Sequence, residues 1–226
     1  MIKLPFADRT EAGRLLAVEL SRRNADANAV VLAIPRGGVP VAFAIAHALH
    51  LPLDVVIARK LGVPWQPELA MGAIAGEARV MDRRAIAELG ISEAAVERIV
   101  ASEQSEMRRR EDVYHAGRPA PDLHGRTAIL VDDGLATGST MLAAARYIHS
   151  MKPAHVVIAV PVGSAHACHR LRSEADAVVC LATPKSFTAV GEWYLDFREV
   201  SDDEVRYLLK ENISWLEKSE TPLIPA

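Results

Sequence analysis

The chain of 226 residues has little with which to bind a metal, cross a membrane or staple a small fold. Its two cysteines, Cys168 and Cys180, lie outside any metal-like spacing and are too few for a disulfide framework. They read as small buried hydrophobes in a reducing compartment, so a cytoplasmic location is expected. The eight histidines are scattered, and no HExxH or Cys/His cluster is present. No apolar stretch approaches ~18 residues without a charge, and Met1–Pro5 lacks the apolar core of a secretory signal, so no membrane partner is expected. A net charge of −3 leaves no basic footprint, which argues against a nucleic-acid partner. The phosphate loops GxxxxGKS/T and GxGxxG are both missing.

What is present is ordinary for a globular protein: half of the residues are apolar and 24% are charged. That suits one domain over residues 1–226 with a sizeable core. Asp8-Arg9-Thr10-Glu11 has the pattern of a capping box and predicts an amphipathic helix through Leu15, Leu16, Val18 and Leu20, ending near Asn24. Continuous apolar runs follow at Val30–Ile34, Leu53–Ala58, Thr127–Val131, His155–Val160 and Ala177–Leu181, separated by helical patterns. Runs without alternation belong to strands buried on both faces, so the fold class is α/β, a central, mostly parallel sheet flanked by helices. Residues 61–125 interrupt this order. Pro64, Pro67, Gly72, Gly76, Pro119 and Pro121 mark irregular chain at the two ends of that segment. Between them a short helix over Asp82–Leu89 stops at Gly90, and a longer one starts at Ser92 and ends at the run Arg108–Arg110. A helical insertion of that length is either a flexible lid or a dimerisation arm. The tail after Trp215 is polar and proline-punctuated, and reads as a frayed end.

Two loops carry chemistry. Ala128–Val131 delivers Asp132 and Asp133 to the carboxyl edge of the sheet, and the small residues Ala136-Thr137-Gly138-Ser139-Thr140 then open a helix. Such a loop lets a phosphate approach backbone N–H groups at the positive end of the helix dipole. Two acids beside it suit the hydroxyls of a ribose, which makes this a sugar-phosphate site. Ile34-Pro35-Arg36-Gly37-Gly38-Val39-Pro40 follows the first strand. Its glycines permit positive φ and amides turned toward an anion, and Arg36 adds a fixed charge. Arg59 and Lys60 close the second run, as a second cationic group or as a solvated strand end. Arg108–Arg110 and Arg118 reach the site only if the insertion folds over it.

The run Ile129–Thr140 resembles, residue for residue, the 5-phosphoribosyl-1-diphosphate (PRPP) signature of the type I phosphoribosyltransferases. The resemblance implies that Asp132 and Asp133 hold the ribose hydroxyls and act as the catalytic acids. It further implies that Ala136, Thr137, Gly138, Ser139 and Thr140 wrap the 5-phosphate. Arg36, Gly37, Gly38 and Lys60 would receive the pyrophosphate, with Mg2+ as cofactor. Thr183–Phe197 is similar to the base-binding segment of hypoxanthine-guanine transferases and would form a C-terminal hood over residues 183–200. That match makes Phe187, Val190 and Trp193 base-binding and puts Asp196 near magnesium or the base, although its spacings run about one residue long. An apolar cover packed on its own domain is the alternative for this segment. The resemblance implies a homodimer whose small-molecule partners are PRPP and an acceptor base, purine-like or other. It also leaves open a regulator of the same fold that binds PRPP or nucleotides without catalysis.

Overall fold

The computed structural model describes residues 3–23, 28–115 and 117–220. Its centre is a five-stranded, all-parallel sheet in the order β2-β1-β6-β7-β8. These strands are β1 (Ala29–Ala33), β2 (Leu53–Val55), β6 (Thr127–Val131), β7 (His155–Val162) and β8 (Ala177–Ala182). β1 and β6 are buried at every position, which is why their sequences show no alternation. Val31, Ala33, Ile129 and Val131 face a core shared with α1 (Arg9–Arg22), α2 (Gly38–Leu49) and α7 (Asp202–Glu220). The intervening Val30, Leu32, Ala128 and Leu130 face α5 (Ser139–Ser150) and α6 (Ala165–Leu171). The α1 cap forms as its sequence pattern predicts. The Asp8 carboxylate accepts the Glu11 N–H at 2.7 Å, and Glu11 reaches back to the Ala7 N–H at 2.5 Å. The helix closes at Arg22, and the expected end near Asn24 lies outside the described residues.

The insertion differs from the expectation of irregular chain leading into two helices. Its first part is a three-stranded antiparallel sheet of β3 (Ala58–Val63), β4 (Gln66–Ala75) and β5 (Ala78–Met81). Ala58 therefore opens a new sheet instead of closing the second strand, and Arg59 and Lys60 lie inside β3. Of the prolines and glycines that read as irregular chain, Pro64 falls at the β3–β4 turn, Pro67 and Gly72 within β4 and Gly76 at the β4–β5 turn, while Pro119 and Pro121 do lie in irregular chain after α4. Met71 to Ala75 are buried throughout, so β4 never shows the alternation of an exposed sheet. The two predicted helices follow, α3 (Arg83–Glu88), capped by the Asp82 carboxylate, and α4 (Glu93–His115). α4 runs past the arginine run because Arg109 and Arg110 fold back onto Glu106, three and four residues earlier, instead of breaking the helix. Its far end is clamped: the Tyr114 hydroxyl donates to Asp202 at 2.6 Å, and His115 Nε2 lies 3.2 Å from Asp54. That carboxylate holds the His115 pKa above the usual value.

Residues 183–200 cover one end of the sheet as a hood, with a 3-10 turn at Val190–Trp193. The N-terminal segment completes it: the Phe6 N–H donates to the Trp193 carbonyl at 2.9 Å, and Leu195 N–H to the Phe6 carbonyl at 2.8 Å. Cys168 and Cys180 are both free thiols lying near Gly163, and the Cys180 thiol donates to the Ala182 carbonyl at 3.1 Å.

Candidate functional site

The strand order reverses direction between β1 and β6, and in open parallel sheets that switch point is where ligands bind. Ala33 pairs with Val131, so the two strands end level and project their following loops side by side. Asp132 leaves β6 with its carboxylate accepting the Asp133 N–H at 2.9 Å. Burial, with the neighbouring Asp133, pushes the Asp132 carboxyl well above the usual range. Asp133 is pushed up by burial too, but Arg9 pulls it back: Arg9 Nε and Nη2 reach its Oδ2 at 2.9 and 2.8 Å. The Tyr194 hydroxyl closes the arrangement, donating to the Asp133 carbonyl at 2.6 Å. Burial raises the pKa of that hydroxyl, which keeps it a donor.

Past the acid pair, Gly138 takes φ +73° as the N-cap of α5, a conformation that side chains rarely tolerate. Ser164 holds this loop from α6 by donating to the Ala136 carbonyl at 2.8 Å. The Thr137 and Gly138 N–H groups have no partner among the described residues, as expected of an open helix N-terminus.

In the first loop the structure corrects the reading of the glycines. Gly37 sits at φ −59°, and neither it nor Gly38 has positive φ. A Cβ at Gly37 would fall 2.0 Å from Asp133 Oδ2, and one at Gly38 would fall 2.8 Å from the Val131 carbonyl oxygen. Glycine is needed because the two loops touch. The Gly38 N–H is used within the loop, bonded to the Ile34 carbonyl at 3.1 Å. Arg36 donates to Glu199 of the hood.

A cleft of about 420 Å³ opens over these loops, lined by Pro35, Asp132 and Thr140 on the sheet side. Arg59, Lys60, Glu103 and Arg110 line it from β3 and α4. Arg59 is held by Glu103 at 2.6 Å and Arg110 by Glu106 at 2.9 Å. The insertion thus carries three cations to the cleft that Asp132 lines.

The family model for the phosphoribosyl transferase domain matches residues 9–198, which hold every element of this cleft. The chain belongs to that family. Two curated proteins from two strains of Mycobacterium tuberculosis, each provisionally named a phosphoribosyl transferase, are 46% identical over 201 residues. That match covers 88% of this chain and 45% of theirs, so the chain spans about half the length of the curated relatives it matches. The crystal structure of TT1426 from Thermus thermophilus is 43% identical, covering 91% of this chain and 98% of that one with a TM-score of 0.77.

In this phosphoribosyl transferase domain the expected base-binding residues do not line the cleft. Phe187, Val190 and Trp193 pack on the hood cluster built around Phe6, Val162 and Tyr194. The Phe187 and Trp193 rings stack at 6.5 Å, and Val190 lies against Gly134. All three side chains are half-buried, in the segment that the Tyr194 hydroxyl ties to Asp133. Asp196 lines a separate hollow of about 90 Å³ with Asp8, Arg9 and Arg198, and its carboxylate accepts the Arg198 N–H at 3.1 Å. The structure therefore does not bring Asp196 to Asp132. Sequence reasoning missed Arg9, the buried partner of Asp133. Its position at the start of an amphipathic helix gave no sign that its guanidinium also lies 3.9 Å over the Phe197 ring and bonds the Arg198 carbonyl at 2.8 Å. Glu103 and Tyr194 were likewise unmarked.

Proposed function

We propose that the domain transfers the 5-phosphoribosyl group of PRPP to a nitrogenous base and releases pyrophosphate. The observation carrying this reading is one cleft that joins Asp132 of the acid pair, Thr140 at an open helix N-terminus and three cations at the switch point of the sheet. Displacement at ribose C1 through an oxocarbenium-like transition state asks the protein to hold the donor, neutralise the leaving group and exclude water. The Thr137–Thr140 loop would hold the 5-phosphate through its N–H groups and hydroxyls. Asp132 and Asp133 would accept the ribose hydroxyls, with Asp133 fixed by Arg9. Lys60, Arg59 and Arg110 would meet the diphosphate on one side, and Arg36 with Gly37 and Gly38 on the other.

Magnesium fits the site through Asp132, a hard oxygen donor lining the same cleft as the cations. Among the described residues no group of three or more histidine, cysteine or acidic side chains could hold a metal, so the ion would be held largely by the donor and water. When bound, it would supply positive charge to the departing diphosphate.

Pyrophosphate release with PRPP, magnesium and a panel of purine, pyrimidine and other nitrogenous bases tests the reaction. Release with at least one base is expected. If none supports release while PRPP binds, the domain is a sensor of the donor instead. A second expectation concerns Arg36. Its partner Glu199 is an exposed side chain, and such a pair is held weakly. Glu199→Gln should free Arg36 for the diphosphate and raise PRPP affinity about twofold to fivefold by calorimetry. An unchanged or weakened affinity would show that Glu199 orients Arg36 instead of occupying it.

A further inference from the structure

A second cleft, of about 450 Å³, lies across the phosphate loop from the first. Thr140 lines one cleft and Ser139, its neighbour in α5, lines the other. The second is walled by His166 and Arg170 of α6 and by Asp82 and Arg83 at the end of the antiparallel sheet. Its charges do not cancel. The Asp82 carboxylate is engaged in capping α3, accepting the Ala85 N–H at 2.9 Å. Most arginines of the described chain are ion-paired, yet neither Arg83 nor Arg170 has a carboxylate within 4.0 Å among the described residues. Glu174, the acid whose charge Arg170 feels, is instead gripped by Arg146 through two bonds of 2.7 and 3.2 Å.

The walls are preformed. The β4–β5 turn lies flat on the Tyr147 ring of α5, so closely that a Cβ at Gly76 would fall 2.1 Å from it. Ala73, Ala75 and Val80 of that sheet are buried in the same core as Met141 and Ala144 of α5. On the other side Ala167 and Leu171 of α6 pack against Gly138 of the loop. Two guanidiniums without a carboxylate partner among the described residues line one cleft with the Ser139 hydroxyl and the His166 imidazole, a set suited to a multivalent anion.

We propose that this cleft is a second anion site that takes the polyphosphate group of a ligand other than the phosphoribosyl donor. The site stands on Arg83 and Arg170 and does not require the transferase reading. That reading supplies only its neighbour. Polyphosphate could come from an inorganic chain or from a nucleotide, so the probes are inorganic tripolyphosphate and ATP, titrated by calorimetry into the full chain. Two tripolyphosphate sites are expected, one blocked by saturating PRPP and one not. Arg170→Ala and Arg83→Ala should each weaken the PRPP-insensitive site at least tenfold and leave the other intact. Arg172→Ala, an exposed arginine outside the cleft, serves as the charge control. Tighter binding of ATP than of tripolyphosphate at this site identifies a nucleotide, and equal or weaker binding identifies the inorganic anion. A single site, or an equal loss with Arg172→Ala, overturns the proposal. Failure of PRPP to compete with either site counts against the donor reading alone, because dependence on Arg170 would still be measured.

Discussion

Arg9→Ala is expected to cost about 3–5 kcal/mol of folding stability at neutral pH, because it leaves the Asp133 carboxylate buried without its partner. The two side chains are only 10% and 14% exposed, so solvent screens their pairing little. The substitution also frees the Arg198 carbonyl and removes the guanidinium from over Phe197. A loss of that size is a large share of the ~5–15 kcal/mol that holds a domain together. The sign of its pH dependence follows from linkage. Without Arg9 the folded-state pKa of Asp133 rises further above the unfolded value, so the folded chain binds the proton more tightly. Stability of the variant then falls as pH rises through the unfolded carboxylate value, and its deficit shrinks on acidification. Urea denaturation at neutral pH and near pH 4 measures both. A deficit under 1 kcal/mol at neutral pH would mean that Asp133 finds water or another donor.

The next largest effect is expected from one methyl group. Gly37→Ala places its Cβ 2.0 Å from Asp133 Oδ2 and 2.7 Å from Cγ. The backbone there is right-handed helical, φ −59° and ψ −33°, so alanine meets no conformational strain and even loses unfolded-state entropy, worth about 0.4–1 kcal/mol in its favour. The clash outweighs this, since forcing atoms into a packed site costs about 1–3 kcal/mol. Asp133 cannot swing aside without breaking its pair with Arg9. Either the first loop moves away from the acid pair or the acid pair turns, and both separate the groups proposed to bracket the donor. PRPP affinity should fall at least tenfold, with a moderate loss of thermal stability. Normal PRPP binding by a folded Gly37→Ala variant would show that contact between the two loops is dispensable.

The parts legible in sequence were those that depend on local pattern. Unbroken apolar runs marked β1 and β6, which are covered on both faces, and also β7 and the half-buried edge strand β8, and the small-residue loop after Asp132-Asp133 marked the switch point. The Asp8 cap was readable for the same reason. What escaped depends on partners distant in the chain. The antiparallel sheet was hidden because Met71–Ala75 of β4 are buried without alternation and its neighbouring turn is rich in proline, a composition shared with irregular chain. Arg9 and Asp133 are 124 residues apart, and nothing near Arg9 announces a carboxylate. The hood aromatics were visible as a cluster, but composition does not say which way a ring faces. Phe187 and Trp193 are half-buried against the hood cluster.

The most direct measurement is calorimetric titration of PRPP into the protein in magnesium, with Asp132→Asn alongside. Asparagine keeps the shape of Asp132 and can still accept the Asp133 N–H, while removing one of two adjacent buried charges. The variant should therefore melt no lower than the parent. Magnesium-dependent PRPP binding to the parent, weakened on the order of tenfold to a hundredfold in the variant, is the predicted result. No binding to the parent at millimolar PRPP, or equal binding to both, would contradict the assignment of this cleft to the phosphoribosyl donor.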